Sequence, residues 1–197
     1  MSIKALFVDI GGVLVAVSPK AREKYEALGI TKEVSSKIFK YLQTTDRTET
    51  EINGYLEENG LTRELWEKFV QEVFYSSEKR NDDLYDILKK AKNSEKLIVY
   101  TTNNSSALEA LMEKYQIADL PDLVINSSEI GVTKPDDLYW QSAIKETKKI
   151  IPGIVPEEIL VIDDSDLNCY SAIKNGMKAI VYQTGVSDGE VEKSFKG

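Results

Sequence analysis

The sequence predicts a doubly wound parallel α/β sheet that carries a small, all-helical insert. Five short apolar runs have the length of strands: IKALFVD (3–9), LIVYT (97–101), DLVIN (122–126), ILVID (159–163) and KAIVY (178–182). Several are continuously hydrophobic rather than alternating, as strands buried on both faces are. Segments of helical period separate the later runs, and strand–helix alternation is the pattern of a parallel sheet.

Taken in chain order, the first run ends in a lone carboxylate, Asp9, followed by an isoleucine and two glycines, Gly11 and Gly12. Residues 18–80 then break the rhythm and offer no strand candidate. They contain successive helical patterns, PKAREKYEAL, TKEVSSKIFKYLQ, ETEINGYLEE and TRELWEKFVQEVFY, punctuated by Gly29, Gly60 and TTDRT. We therefore expect residues 1–17 and 81–197 to form an α/β core and residues 18–80 a helical cap. After the second run, SALEALMEKY (106–115) follows Asn and Ser capping candidates. PDDLYWQSAIKETKK (135–149) opens with Pro and two Asp, which suits a helix N-terminus. DLNCYSAIKNG (166–176) ends in Asn-Gly, a helix stop. The polar C-terminal SDGEVEKSFKG reads as peripheral.

Composition limits the chemistry. The 197 residues are enough for one sizeable core with a modest insert, and 42% apolar with 29% charged residues is ordinary for a soluble globular protein. A formal charge of −8 argues against a nucleic-acid partner, because a phosphate backbone needs a cationic face. The single Cys169 permits no internal disulfide. With no histidine, Ser-His-Asp and Cys-His catalysis, histidine-ligated zinc and histidine acid–base chemistry are all excluded. No apolar run is long enough to span a bilayer and no signal-peptide pattern opens the chain, so a cytoplasmic location without membrane contact is expected. Arg22 and Arg47 read as cap surface residues, Trp66 and Trp140 as packing residues, and Cys169 as a small helix-face residue. Oligomeric state is not legible.

In an open α/β sheet, ligands sit outside the carboxyl ends of the strands. Asp9 ends the first run, Thr102 and Asn103 follow the second, Asp163 and Asp164 close the fourth, and Lys134 lies in GVTKPD after the third. Clustered carboxylates repel, and a hard, oxygen-seeking cation such as Mg²⁺ relieves them. A cation and a lysine together can neutralise a phosphoryl group, and an aspartate can attack one as a nucleophile.

Taken together, FVDIGGVLV, VYTTNN, GVTKPD and VIDDSDLNCYSAIKNGM resemble, in order, the four motifs of the haloacid dehalogenase superfamily of phosphatases and phosphotransferases. The resemblance runs from Ala5 to Tyr182. It implies a Mg²⁺-dependent phosphatase acting on a small phosphorylated metabolite through an aspartyl-phosphate. Asp9 would be the nucleophile, Thr102 and Asn103 would bind phosphate, and Lys134 would steady both. Asp164, with Asp163 beside it or behind it, would hold the metal together with Asp9 and the Gly11 carbonyl. The insert sits where the family places a helical cap that selects substrate.

One position departs from the pattern. Phosphatases of the superfamily usually carry a second Asp two residues after the nucleophile, as general acid and then base. Here that residue is Gly11. Loss of such a group typically costs ~10²–10⁴ in rate. Three readings follow. The first is a phosphatase that takes its proton elsewhere or acts on good leaving groups, similar to a branch with Asp-X-Gly that acts on sugar 1-phosphates. The second is a metal-independent dehalogenase. The third is a weakly catalytic or non-catalytic module that binds a phosphate ligand or a protein.

Overall fold

The computed structural model describes residues 2–16, 27–45, 47–70, 79–104 and 108–196. Most of PKAREKYEAL with Arg22, the last five residues (71–75) of TRELWEKFVQEVFY and the start of the 106–115 segment lie outside the described residues.

All five expected strands form. They are β1 (Ala5–Val8), β4 (Leu97–Thr102), β5 (Leu123–Asn126), β6 (Ile159–Asp163) and β7 (Lys178–Val181), in one parallel sheet of order β5-β4-β1-β6-β7. The register aligns Leu6 with Ile98 and Leu160, and Phe7 with Val99 and Val161. Alternate residues therefore serve opposite faces. Leu6, Val8, Ile98, Tyr100, Leu160 and Ile162 join one buried cluster. Ala5, Phe7, Leu97, Val99, Ile159 and Val161 join the other. Both faces are covered, so the runs carry no polar alternation.

Helix α4 (Asp82–Asn93), α5 (Leu108–Lys114) and α9 (Asp188–Lys196) cover the first face. On the second lie α7 (Asp137–Ile150), with Tyr139 and Trp140 fully buried, and α8 (Asp166–Lys174), with Ala172. Short α6 (Ser127–Ile130) follows β5, and a 3₁₀ turn (Pro156–Glu158) precedes β6.

Two elements of the core differ from expectation. Helix α4 lies in a stretch not singled out above, although its signals are present: Asn81 caps Leu84 N–H, and Asp82 and Asp83 occupy the first turn. The C-terminal segment is not merely peripheral. Helix α9 packs on α4 through buried Val191 and Phe195.

The insert contains α1 (Lys32–Gln43), α2 (Glu49–Glu58) and α3 (Arg63–Val70) around their own core of Ile38, Leu56, Trp66 and Phe69. Thr31 caps α1, and Thr48 with Glu51 forms a capping box on α2. The expectation of no strand in 18–80 is corrected. Lys79–Arg80 (β3) pairs antiparallel with Val15–Ala16 (β2), which ties the two ends of the insert together. Arg47 is not a free surface residue: its guanidinium lies 4.3 Å from the Tyr41 ring centre, and Tyr41 stacks on Tyr55 at 3.7 Å. Among the described residues, no helix is long and apolar enough to cross a membrane.

Candidate active site

Parallel strands deliver their carboxyl ends to one edge of the sheet, and the site is built there. Asp9 follows β1, and its backbone N–H donates to the Ile162 carbonyl at 2.9 Å, extending the β1–β6 pairing by one residue. Asp163 ends β6, and Asp164 comes next. Lys134, between α6 and α7, projects into the space between them.

The Lys134 ammonium is buried and spends all three donors within the protein. Nζ donates to Asp9 Oδ1 at 2.8 Å, to Asp163 Oδ2 at 2.7 Å and to the Thr101 carbonyl at 2.8 Å. Burial works against its charge, but Asp9 and Asp163 outweigh that and hold its pKa above the ordinary lysine range. Two carboxylates thus share one cation. Burial, then the Asp163 charge, pushes the Asp9 carboxyl up to about 7 despite Lys134. Asp164 is also raised, by burial and by Asp163.

Asp9, Asp163 and Asp164 each bring a carboxylate oxygen within 4.8 Å of the others. They form an anionic cluster that the single ammonium does not neutralise, and such a donor set suits a hard divalent cation. The three are not equivalent. Asp163 is fully buried and both its oxygens are engaged: Oδ1 accepts from Ser165 N–H at 3.0 Å and Asn168 Nδ2 at 2.9 Å, and Oδ2 from Lys134. Asp164 is exposed, and its side chain lies over Gly12. The residues present therefore fit a Mg²⁺ ion, with Asp164 and Asp9 the open oxygen donors.

The glycines at the opening motif differ in role. Gly12 has φ +81, and a Cβ there would stand 2.2 Å from Asp164 Oδ2. It is glycine both for its backbone conformation and for the close approach of Asp164. Gly11 is exposed, its φ lies outside the left-handed region, and nothing stands within 4 Å of where its Cβ would be.

Thr102 is buried at the end of β4, and its carbonyl accepts from the Tyr139 hydroxyl at 3.3 Å. Asn103 is turned toward the lysine loop: Oδ1 accepts from Lys134 N–H at 2.8 Å, and Nδ2 donates to the Lys134 carbonyl at 3.1 Å. It clamps Lys134 through the backbone, and any phosphate contact falls to its second amide N–H. Cys169 is buried behind the Asp163 loop, with Sγ 3.5 Å from the Asp163 carbonyl. Sequence reasoning missed Asn168 and Ser165, which fix Asp163. Their only signal was a serine at the cap of α8 and an amide one turn further on.

A family model described as a haloacid dehalogenase-like hydrolase matches residues 3–175. The chain is similar in fold to a structure from Porphyromonas gingivalis described as a "predicted HAD-like family hydrolase", with 19% identity, TM-score 0.77 and full coverage of both chains. It is also similar to a HAD family enzyme of Bacteroides thetaiotaomicron in complex with magnesium and inorganic phosphate, with 22% identity and TM-score 0.71 over 93% of this chain and 96% of that one. An uncharacterized protein of Dictyostelium discoideum is 23% identical over 213 residues, 93% of each chain.

Proposed function

Because the chain belongs to the haloacid dehalogenase-like hydrolase family, we propose that it is a Mg²⁺-dependent phosphatase acting on a small phosphorylated metabolite through a covalent phosphoryl group on Asp9. The observation that carries this reading is the buried Lys134 ammonium held between Asp9 and Asp163 with Asp164 alongside. That arrangement fixes a carboxylate nucleophile and a cation at one point, as an anionic phosphoryl group requires. The Bacteroides relative with magnesium and phosphate bound supports it by analogy of fold.

In this mechanism one carboxylate oxygen of Asp9 attacks phosphorus while the other is kept for Lys134 and the metal, and the bond from phosphorus to the leaving oxygen breaks. The leaving oxygen takes its proton from water, since Gly11 has none to give. A second water then attacks phosphorus, the bond to Asp9 breaks, and inorganic phosphate departs with Asp9 restored. Lys134 holds the Asp9 carboxylate, Asn103 holds the Lys134 backbone, and the Thr102 hydroxyl and the second amide N–H of Asn103 face the phosphoryl oxygens. A Mg²⁺ ion held by Asp9, Asp164 and the Gly11 carbonyl, with Asp163 behind them, supplies neutralisation of phosphoryl charge. Without a general acid at Gly11, substrates with good leaving groups, such as anomeric sugar phosphates, are favoured. The cap over residues 18–80 selects among them, and the reaction takes place in the cytoplasm.

A panel of phosphorylated metabolites assayed with and without Mg²⁺ tests the reading. Phosphate release that requires Mg²⁺ supports it. Halide release from a 2-haloacid without metal would replace it with the dehalogenase. Tight phosphate-ligand binding with no turnover of any member would replace it with a binding module.

A further inference from the structure

Helix α8 turns one face to the sheet, where Cys169 and Ala172 are buried, and the opposite face to solvent. That outer face is apolar: Leu167 is 68% exposed, Tyr170 70% and Ile173 54%. Exposed apolar side chains at i, i+3 and i+6 along one helix form a continuous stripe, and a stripe of this kind needs a reason. Leu138, 57% exposed, is on α7 next to Asp137, which bonds Ser171 and Lys174 of α8 and Asn175 at its C-terminal cap.

The stripe has an internal symmetry centred on Tyr170. With about 100° per residue, Leu167 and Ile173 lie about 60° to either side of Tyr170, and Asp166 and Lys174 about 40° to either side. A two-fold axis running outward through Tyr170 therefore sets Leu167 of one copy against Ile173 of the other. The same axis sets Asp166 against Lys174, and Tyr170 against itself. Apolar side chains meet apolar ones, and each charge meets its opposite twice over. Lys174 is mostly exposed although it bonds Asp137 at 2.7 Å, and its ammonium has further donors to offer a second carboxylate. An isologous contact requires this self-complementarity.

We propose that α8 is the interface of a symmetric homodimer, in which the helix pairs antiparallel with its own copy about Tyr170. The occupant is a second copy rather than another protein, because the charges at the two ends of the stripe complement each other.

Sedimentation velocity over a concentration series tests this on the full chain. The wild type is expected to dimerise. Asp166→Lys sets lysine against lysine twice and should raise the dimer dissociation constant by about tenfold or more. Asp166→Lys combined with Lys174→Asp should restore it. A wild type that is monomeric at every concentration, or a dimer indifferent to Asp166→Lys, would overturn the proposal. Lys174 also bonds Asp137, so folding of the double variant is checked by thermal melt, and a cross-link gives an independent reading. Tyr170→Cys should form a reducible dimer on oxidation, because the native Cys169 is buried. Lys193→Cys, on α9 across the sheet, should not. Cross-linking at residue 193, or none at residue 170, would place the interface elsewhere or remove it.

Discussion

Gly12 and Asp164 occupy the same space: a Cβ on Gly12 would lie 2.2 Å from Asp164 Oδ2, so the glycine's missing side chain is what lets the carboxylate reach the strand-end cluster. The constraint is doubled by the φ of +81, which an L side chain adopts only at a cost of about 1–2 kcal/mol. Gly12→Ala should therefore displace Asp164, lower the melting temperature and weaken Mg²⁺ binding. Calorimetric Mg²⁺ titration of the folded variant checks this. Affinity equal to wild type would show that Asp164 does not hold the metal from its position over Gly12.

Lys134 balances two buried carboxylates, so Lys134→Met leaves Asp9 and Asp163 without a cation. Breaking a buried pair from one side costs about 3–5 kcal/mol, and chemical denaturation should show a loss of that order. The deficit should depend on pH. Burial already raises Asp9 to about 7 with the ammonium present, and removing the ammonium raises it further. A carboxyl raised in the folded state favours folding fully at pH values below its unfolded pKa, and that contribution is lost as pH rises through the folded value. The metal-free variant should therefore be weakest, relative to wild type, in alkaline buffer. A deficit that grew toward acid instead would contradict the charge assignment.

Asp164→Ala should weaken Mg²⁺ binding more than Asp163→Asn does. Asp164 is exposed and bonds none of the protein groups that engage Asp163, whereas both oxygens of Asp163 are committed to Ser165, Asn168 and Lys134. Asp163→Asn should instead lower stability, because an amide cannot accept all three bonds. Metal titrations and thermal melts of the two variants separate the effects. A larger loss of metal affinity at Asp163 would reverse the assignment.

Gly11→Asp places a carboxyl where a general acid would act. The position has open space and no left-handed φ, so the substitution should be tolerated. It should raise turnover of alkyl phosphates more than of aryl or anomeric phosphates, because only poor leaving groups depend on protonation. The measurement is the ratio of the two rates in wild type and variant at matched Mg²⁺. An unchanged ratio in a well-folded variant would mean that glycine there serves the backbone or another chemistry.

What could be read from the sequence divides along physical lines. The five strands were legible because burial on both faces leaves runs such as LIVY and ILVI with no polar interruption. Asp9, Lys134, Asp163 and Asp164 were legible because a parallel sheet sends its strand ends to one edge. The β2–β3 ribbon was not, since a pairing of Val15–Ala16 with Lys79–Arg80 leaves no local period. Helix α9 hid its apolar contact in a single i,i+4 pair, Val191 and Phe195, within a polar tail. Asn103 was placed on the right loop and expected to face phosphate. In the fold its carboxamide is turned onto the Lys134 backbone, because side-chain direction at a loop is set by the partner across it.

The proposed phosphatase reaction turns on Asp9 as its nucleophile. Asp9→Asn keeps the shape and an oxygen for Lys134, but an amide is a poor nucleophile. The most direct measurement is phosphate release by wild type and Asp9→Asn with Mg²⁺ present, on the best substrate of the metabolite panel, with folding of both confirmed by thermal melt. The account predicts that the folded variant releases no phosphate above background. Release near the wild-type rate would contradict it.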